Sequence, residues 1–147
     1  MSIIQFETGI QIDRPIEQVF AFVADPANLP HWQPQIVEVR PLAGEELGPG
    51  STFAVVGEML GRRMEGSMEI LEFEPPNRLV HRIDAGPMTV QAAFSLEPIA
   101  TGTDLILSVR GEPSGILKWA AGPLEKQVRK QMEANLAALK ATMEASP

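Results

Sequence analysis

From Ile3 to Ile12 apolar and polar residues nearly alternate, with Ile4, Phe6, Thr8, Ile10 and Ile12 on one face and Gln5, Glu7 and Gln11 on the other. That period of two predicts a half-buried strand. Asp13-Arg14-Pro15 then reads as a helix start, a capping carboxylate followed by a proline in the first turn. Ile16, Val19, Phe20 and Val23 supply the helical stripe, and Asp25-Pro26 repeats the start signal at once, so two short helices are expected at 15–23 and 26–31. After Pro34 the pattern changes to strands: Gln35–Arg40, Thr52–Glu58, Met64–Phe73, Arg78–Asp84, Met88–Glu97 and Asp104–Arg110. Short Gly- and Pro-containing breaks separate them, as in an antiparallel sheet joined by hairpins.

The last third follows a different period. Leu117, Ala121, Leu124, Val128, Met132, Leu136, Leu139 and Met143 recur in steps of three and four, one continuous helical stripe. A helix from Gly122 to Glu144 would run about 34 Å, long enough to cross a sheet. The order of one strand, two short helices, six strands and a long helix predicts a single α+β domain over residues 1–147, with helices on one face of an antiparallel sheet.

Placed in this order, several short segments resemble the START-like SRPBCC superfamily, in particular its polyketide cyclase/dehydrase and lipid-transport branch. Ile12-Asp13-Arg14-Pro15-Ile16-Glu17-Gln18-Val19-Phe20 resembles the family's strand-to-helix opening, and Asp25-Pro26 through Trp32-Gln33-Pro34 its D-to-W-x-P segment. Gly50-Ser51-Thr52-Phe53, Phe94-Ser95-Leu96-Glu97-Pro98 with Gly102-Thr103, and Asn135-Leu136-Ala137-Ala138-Leu139-Lys140 resemble its later strands and terminal helix. The resemblance implies a helix-grip fold, a curved seven-stranded antiparallel sheet wrapped around the C-terminal helix. It also implies an apolar cavity between them that holds a hydrophobic small molecule. None of these segments is a catalytic motif.

Strand phase nominates residues for such a cavity. Glu65 and Glu69 facing water would put Met64, Met68 and Ile70 inside, and Phe73, on the opposite phase, would need a bulge near Ile70–Phe73 to be buried too. Phe53, Val55 and Met59 form another inward set, as do Met88, Val90 and Phe94, while Leu124, Val128 and Met132 face them from the long helix. Methionine is prominent here, and its unbranched thioether adapts to variable contents, although it also serves as an ordinary gap-filler. His81 is the one ionisable side chain sharing a face with core residues, Leu79 and Ile83. An inward imidazole can bind a ligand carbonyl or exchange protons; a core histidine satisfied by backbone has the same signature. Trp119, in an apolar turn before Gly122-Pro123, is a candidate lid or simply the start of a kinked helix. His31, Trp32 and Arg62-Arg63 read as a surface side chain, a packing anchor and a solvated hairpin tip.

Composition narrows the classes further. The 147-residue, 16.0 kDa chain has no cysteine, which excludes disulfides, thiol nucleophiles and cysteine-ligated metals. Its two histidines form no HxxxH or HxH pair, so no metal site is expected, and no nucleotide-binding loop or serine elbow is present, so no cofactor is expected. The net charge of −7 is the wrong sign for nucleic acid or an anionic membrane. No apolar run approaches the roughly 20 residues of a membrane span, and the start lacks a signal-peptide layout, so a cytoplasmic location is expected. Three functions remain open: a carrier or sensor of a lipid, isoprenoid or polyketide-like molecule; a cyclase/dehydratase using His81 as acid–base; and a protein-binding module. Binding ranks first because a catalytic pocket needs convergent polar groups. A homodimer stays open.

Overall fold

The computed structural model describes residues 3–43, 47–59, 61–85, 88–113 and 121–145. Strand β1 (Ile4–Ile12) leads into helix α1 (Ile16–Ala24), a 3₁₀ turn (Pro26–Asn28) and the single-turn helix α2 (Leu29–Trp32). Six strands follow: β2 (Ile36–Ala43), β3 (Thr52–Met59), β4 (Arg62–Glu74), β5 (Arg78–Ala85), β6 (Met88–Ile99) and β7 (Gly102–Pro113). Helix α3 (Ala121–Ala145) closes the chain. The seven strands form one sheet in the order β1-β7-β6-β5-β4-β3-β2, every neighbouring pair antiparallel. This is the expected α+β order, with each hairpin strand running longer than its apolar stretch alone indicated.

The helices pack where their stripes point. Ile16, Val19, Phe20 and Val23 of α1 are buried, as are Leu124, Val128, Leu136, Leu139 and Met143 of α3, and all join one apolar cluster with the inward residues of the sheet. Helix α3 packs against β1 and α2. Trp32 is 1% exposed and meets Phe94 edge-to-face, ring centroids 6.1 Å apart, a geometry worth about 0.5–1.5 kcal/mol beyond the area buried. It anchors α2 to the sheet as expected, and His31 beside it is exposed.

Strand β4 carries the bulge its phase required. Its register against β5 shifts between Ile70 and Glu72, and Phe73 thereby returns to the inner face, where it meets Phe20 edge-to-face at 5.6 Å. At the start of α1 the structure differs from expectation. The N-cap is Pro15, without a side-chain cap, and Asp13 makes no capping bond; instead its backbone N–H donates to the Glu144 carboxylate at 2.8 Å. Lys140 donates to the same carboxylate at 2.7 Å, and Arg14 donates to the Glu144 carbonyl at 2.8 Å. The last turn of α3 therefore ties down the chain just before α1, while the first turn of α1 itself has no side-chain cap. Asp25 does cap, its carboxylate accepting from the Ala27 N–H at 3.0 Å. Gly122-Pro123, where a kink was expected, stands in the first turn of α3, where a missing N–H costs nothing; the apolar turn before it, with Trp119, lies outside the described residues up to residue 120.

Candidate functional site

Cross-strand pairing brings four pairs of inward positions together at one end of the sheet. Val55 faces Gly66 and Gly57 faces Met64 across β3 and β4; Ile83 faces Val90 and Ala85 faces Met88 across β5 and β6. Two of the eight positions are glycine and one is alanine, so this end of the inner face lacks the side-chain volume that fills the rest. A cavity of about 110 Å³ results, closed by Ile36 of β2 and Met132 of α3. Gly66 is required by the backbone, since a Cβ there would run into the Asp84 carbonyl oxygen, whereas a Cβ on Gly57 would meet only the Gln35 carbonyl oxygen, at 3.1 Å.

The polar residues of this cavity, Gln33, Gln35 and Glu58, come from its α2–β2 and β3 side. Local hydrogen bonds hold that segment. The Gln33 N–H donates to the Leu29 carbonyl at 2.7 Å and ends α2, its carbonyl accepts from the Ile36 N–H at 2.8 Å, and the Gln35 carbonyl accepts from the Glu58 N–H at 2.7 Å. A second space of about 110 Å³ adjoins the first through shared Gln35, Glu58 and Met132, and adds Leu124, Gln127, Val128 and Gln131 of α3. Side-chain amides link the two. Gln35 Nε2 donates to Gln33 Oε1 at 3.2 Å, and Gln131 Nε2 donates to Gln35 Oε1 at 3.4 Å and to Asn135 Oδ1 at 2.9 Å. Asn135 is 1% exposed on the otherwise apolar stripe of α3.

His81 is placed elsewhere. It is 7% exposed, with its ring 5.5 Å from Phe94, and it borders a crevice of about 10 Å³ beside Met68, Leu79 and Leu29. Neither ring nitrogen has a hydrogen-bond partner among the described residues. Burial without a partner disfavours the imidazolium and pulls the pKa down from 6.5 to about 4, so the ring is neutral at pH 7. The next inward residue of β5, Ile83, lines the larger cavity; His81 stands one inward step, roughly 7 Å, beyond it.

Of the residues nominated from sequence, Val55, Met64, Met88, Val90 and Met132 come together around the cavity, and Leu124 and Val128 line the adjoining space. Phe53 and Phe94 are core side chains outside that lining, and Met68 lies at the His81 crevice. The Met59 side chain and Trp119 lie outside the described residues. Strand phase missed Ile36, Gly57, Gly66, Ala85 and the three polar residues. Glycines on inward phases of adjacent hairpin strands, Gly57 and Gly66, were the readable signal for the floor; nothing local marked Gln33 and Gln35. Among the described residues, no group of three or more His, Asp or Glu side chains is placed to hold a metal ion, and no helix is long and apolar enough to cross a membrane.

A family model described as polyketide cyclase / dehydrase and lipid transport matches residues 4–144. No curated protein matches the chain by sequence. Among solved structures, an aromatase/cyclase, Zhui from Streptomyces sp. R1128, superposes with a TM-score of 0.82 at 16% identity, covering 97% of this chain and 94% of its own. Ara h 8.0201 superposes at 0.76 with 17% identity over 98% and 99%, and TTHA0849 from Thermus thermophilus at 0.76 with 22% identity over 97% and 99%. At these identities the likeness establishes the fold, which is helix-grip.

Proposed function

The chain belongs to the polyketide cyclase / dehydrase and lipid transport family, and we propose that it binds a hydrophobic small molecule in the cavity between β3–β6 and α3. The observation that carries this reading is the lining itself. Eight apolar side chains from β2 to β6 and α3 surround a space that Gly57 and Gly66 leave unfilled. An engineered apolar cavity of roughly 150 Å³ is enough to take up benzene. This one is smaller, at about 110 Å³, but the adjoining space past Met132 adds about 110 Å³ more, so a ring would fill the cavity and a larger lipid, isoprenoid or polyketide-like ligand would extend into that space. The three methionines can change rotamer at low cost.

The family description and the aromatase/cyclase neighbour also raise the enzyme reading, in which His81 exchanges protons with substrate. Its position one step beyond the cavity and its depressed basicity at pH 7 count against that role, so binding takes precedence. Native mass spectrometry of the gently purified protein tests the reading. A bound molecule of a few hundred daltons, lost on denaturation, is the expected result on the scale of drug-sized pockets. A bare chain mass that stays bare after incubation with ethylbenzene, toluene and menthol would count against it.

A further inference from the structure

Resting on that reading of the cavity, we infer that it selects the head group of its ligand, accepting an uncharged hydrogen-bond acceptor such as a ketone, ester or amide oxygen and turning away carboxylates. Gln33 is 6% exposed and lines the cavity. Its carbonyl oxygen is occupied by Gln35 Nε2, while its own Nε2 has no partner among the described residues. The rest of the chain of amides fixes this polarity. Gln35 Oε1 is taken by Gln131 Nε2, which is shared with Asn135, and Asn135 Nδ2 donates to the Met132 sulfur at 3.7 Å. The network thus leaves the amide NH₂ of Gln33, a buried side chain that lines the apolar space, as a donor that an oxygen acceptor would satisfy.

Charge points the same way. Glu58 is the one charged residue lining either space, and among the described residues no Lys, Arg or His lines them. The Glu58 side chain is exposed to solvent, so what bars a carboxylate head is the loss of its own hydration in an apolar space that offers no cation. The expected ligand is amphiphilic and neutral, with its apolar body on the β3–β6 floor and its oxygen at Gln33.

Three ligands of nearly one shape test this: ethylbenzene, acetophenone and benzoate, titrated at pH 7.5 into protein carrying ¹³C-methyl methionine. Shifts of the Met64, Met88 and Met132 methyls report occupancy of the cavity, and Met143, buried at the far end of α3, serves as the internal control. Acetophenone is expected to bind about fivefold more tightly than ethylbenzene, the ordinary value of one net hydrogen bond, and benzoate more than tenfold more weakly than acetophenone. Gln33→Met should erase the advantage of acetophenone over ethylbenzene. Equal binding of all three, with the same methyls shifting, would keep the cavity as the ligand site and overturn head-group selection, as would benzoate binding best. No shift with any of them would remove the cavity reading and this inference together.

Discussion

Lowering the pH should unfold this protein through His81 more than through any surface carboxylate. The imidazole is 7% exposed, without a hydrogen-bond partner among the described residues, and its pKa falls from 6.5 to about 4 on folding. Between those two values the unfolded chain binds a proton that the folded chain refuses, so stability rises with pH across the window. The contribution is fully present above 6.5 and lost as pH falls through 4. Integrated over the whole window it amounts to about 3 kcal/mol; between pH 8 and pH 5 it amounts to about 2 kcal/mol. Urea unfolding at pH 8, 7, 6 and 5, compared with His81→Leu, isolates the effect, because the exposed His31 and the carboxylates are common to both proteins. The wild type should lose about 2 kcal/mol more than the variant between pH 8 and 5, with unchanged urea dependence. At pH 8 the variant should be as stable as the wild type or more so, since leucine leaves no buried polar atom unsatisfied. Parallel curves, or an NMR titration placing His81 near 6.5, would refute the claim that this ring is desolvated.

Other outcomes separate the cavity from the scaffold. Val90→Phe should fill the space between β5, β6 and α3 and abolish ethylbenzene binding while costing no more than about 1–3 kcal/mol, the usual range for overpacking; thermal unfolding and methionine-methyl shifts read both effects. Gly66→Ala should destabilise by more than about 2 kcal/mol, because its Cβ meets the Asp84 backbone, whereas Gly57→Ala, with one tight contact at 3.1 Å to the Gln35 carbonyl oxygen, should cost clearly less. The bond from Lys140 and the Asp13 N–H hold the Glu144 carboxyl below its usual pKa. Glu144→Gln should therefore lower the melting temperature at pH 7, with the difference shrinking as pH falls below 4.5 and the wild-type carboxylate protonates.

Element order, inward phases and the β4 bulge were legible because each is a local consequence of side-chain period: Phe73 cannot be buried on the phase of Met64, Met68 and Ile70 without an extra residue between them. The expected Asp13 cap is absent because the N-cap position falls on Pro15, two residues later, and the bond Asp13 does make, from its N–H to Glu144, spans 131 residues and adds nothing to a local pattern. The apolar half of the site followed from strand phase, but its location did not. The cavity sits where Gly57, Gly66 and Ala85 reach neighbouring inward positions, paired with Met64, Val55 and Met88, and that requires register, which a period of two leaves undetermined. Met68 and His81 share the inward phases of Met64 and Ile83 but border the smaller crevice instead, a difference of position along the strand that phase alone does not give. The polar end escaped because Gln33 and Gln35 reach the cavity through bonds to Leu29, Ile36 and Glu58, and because Asn135 interrupts a stripe otherwise read as apolar.

The most direct test of ligand binding between β3–β6 and α3 is a titration of ¹³C-methyl methionine protein with ethylbenzene, run alongside Val90→Phe. Saturable shifts of the Met64, Met88 and Met132 methyls, with Met143 still and the variant silent, are the result this account requires. Methyls that stay unmoved up to the solubility of ethylbenzene, or shifts that persist undiminished in Val90→Phe, would contradict it.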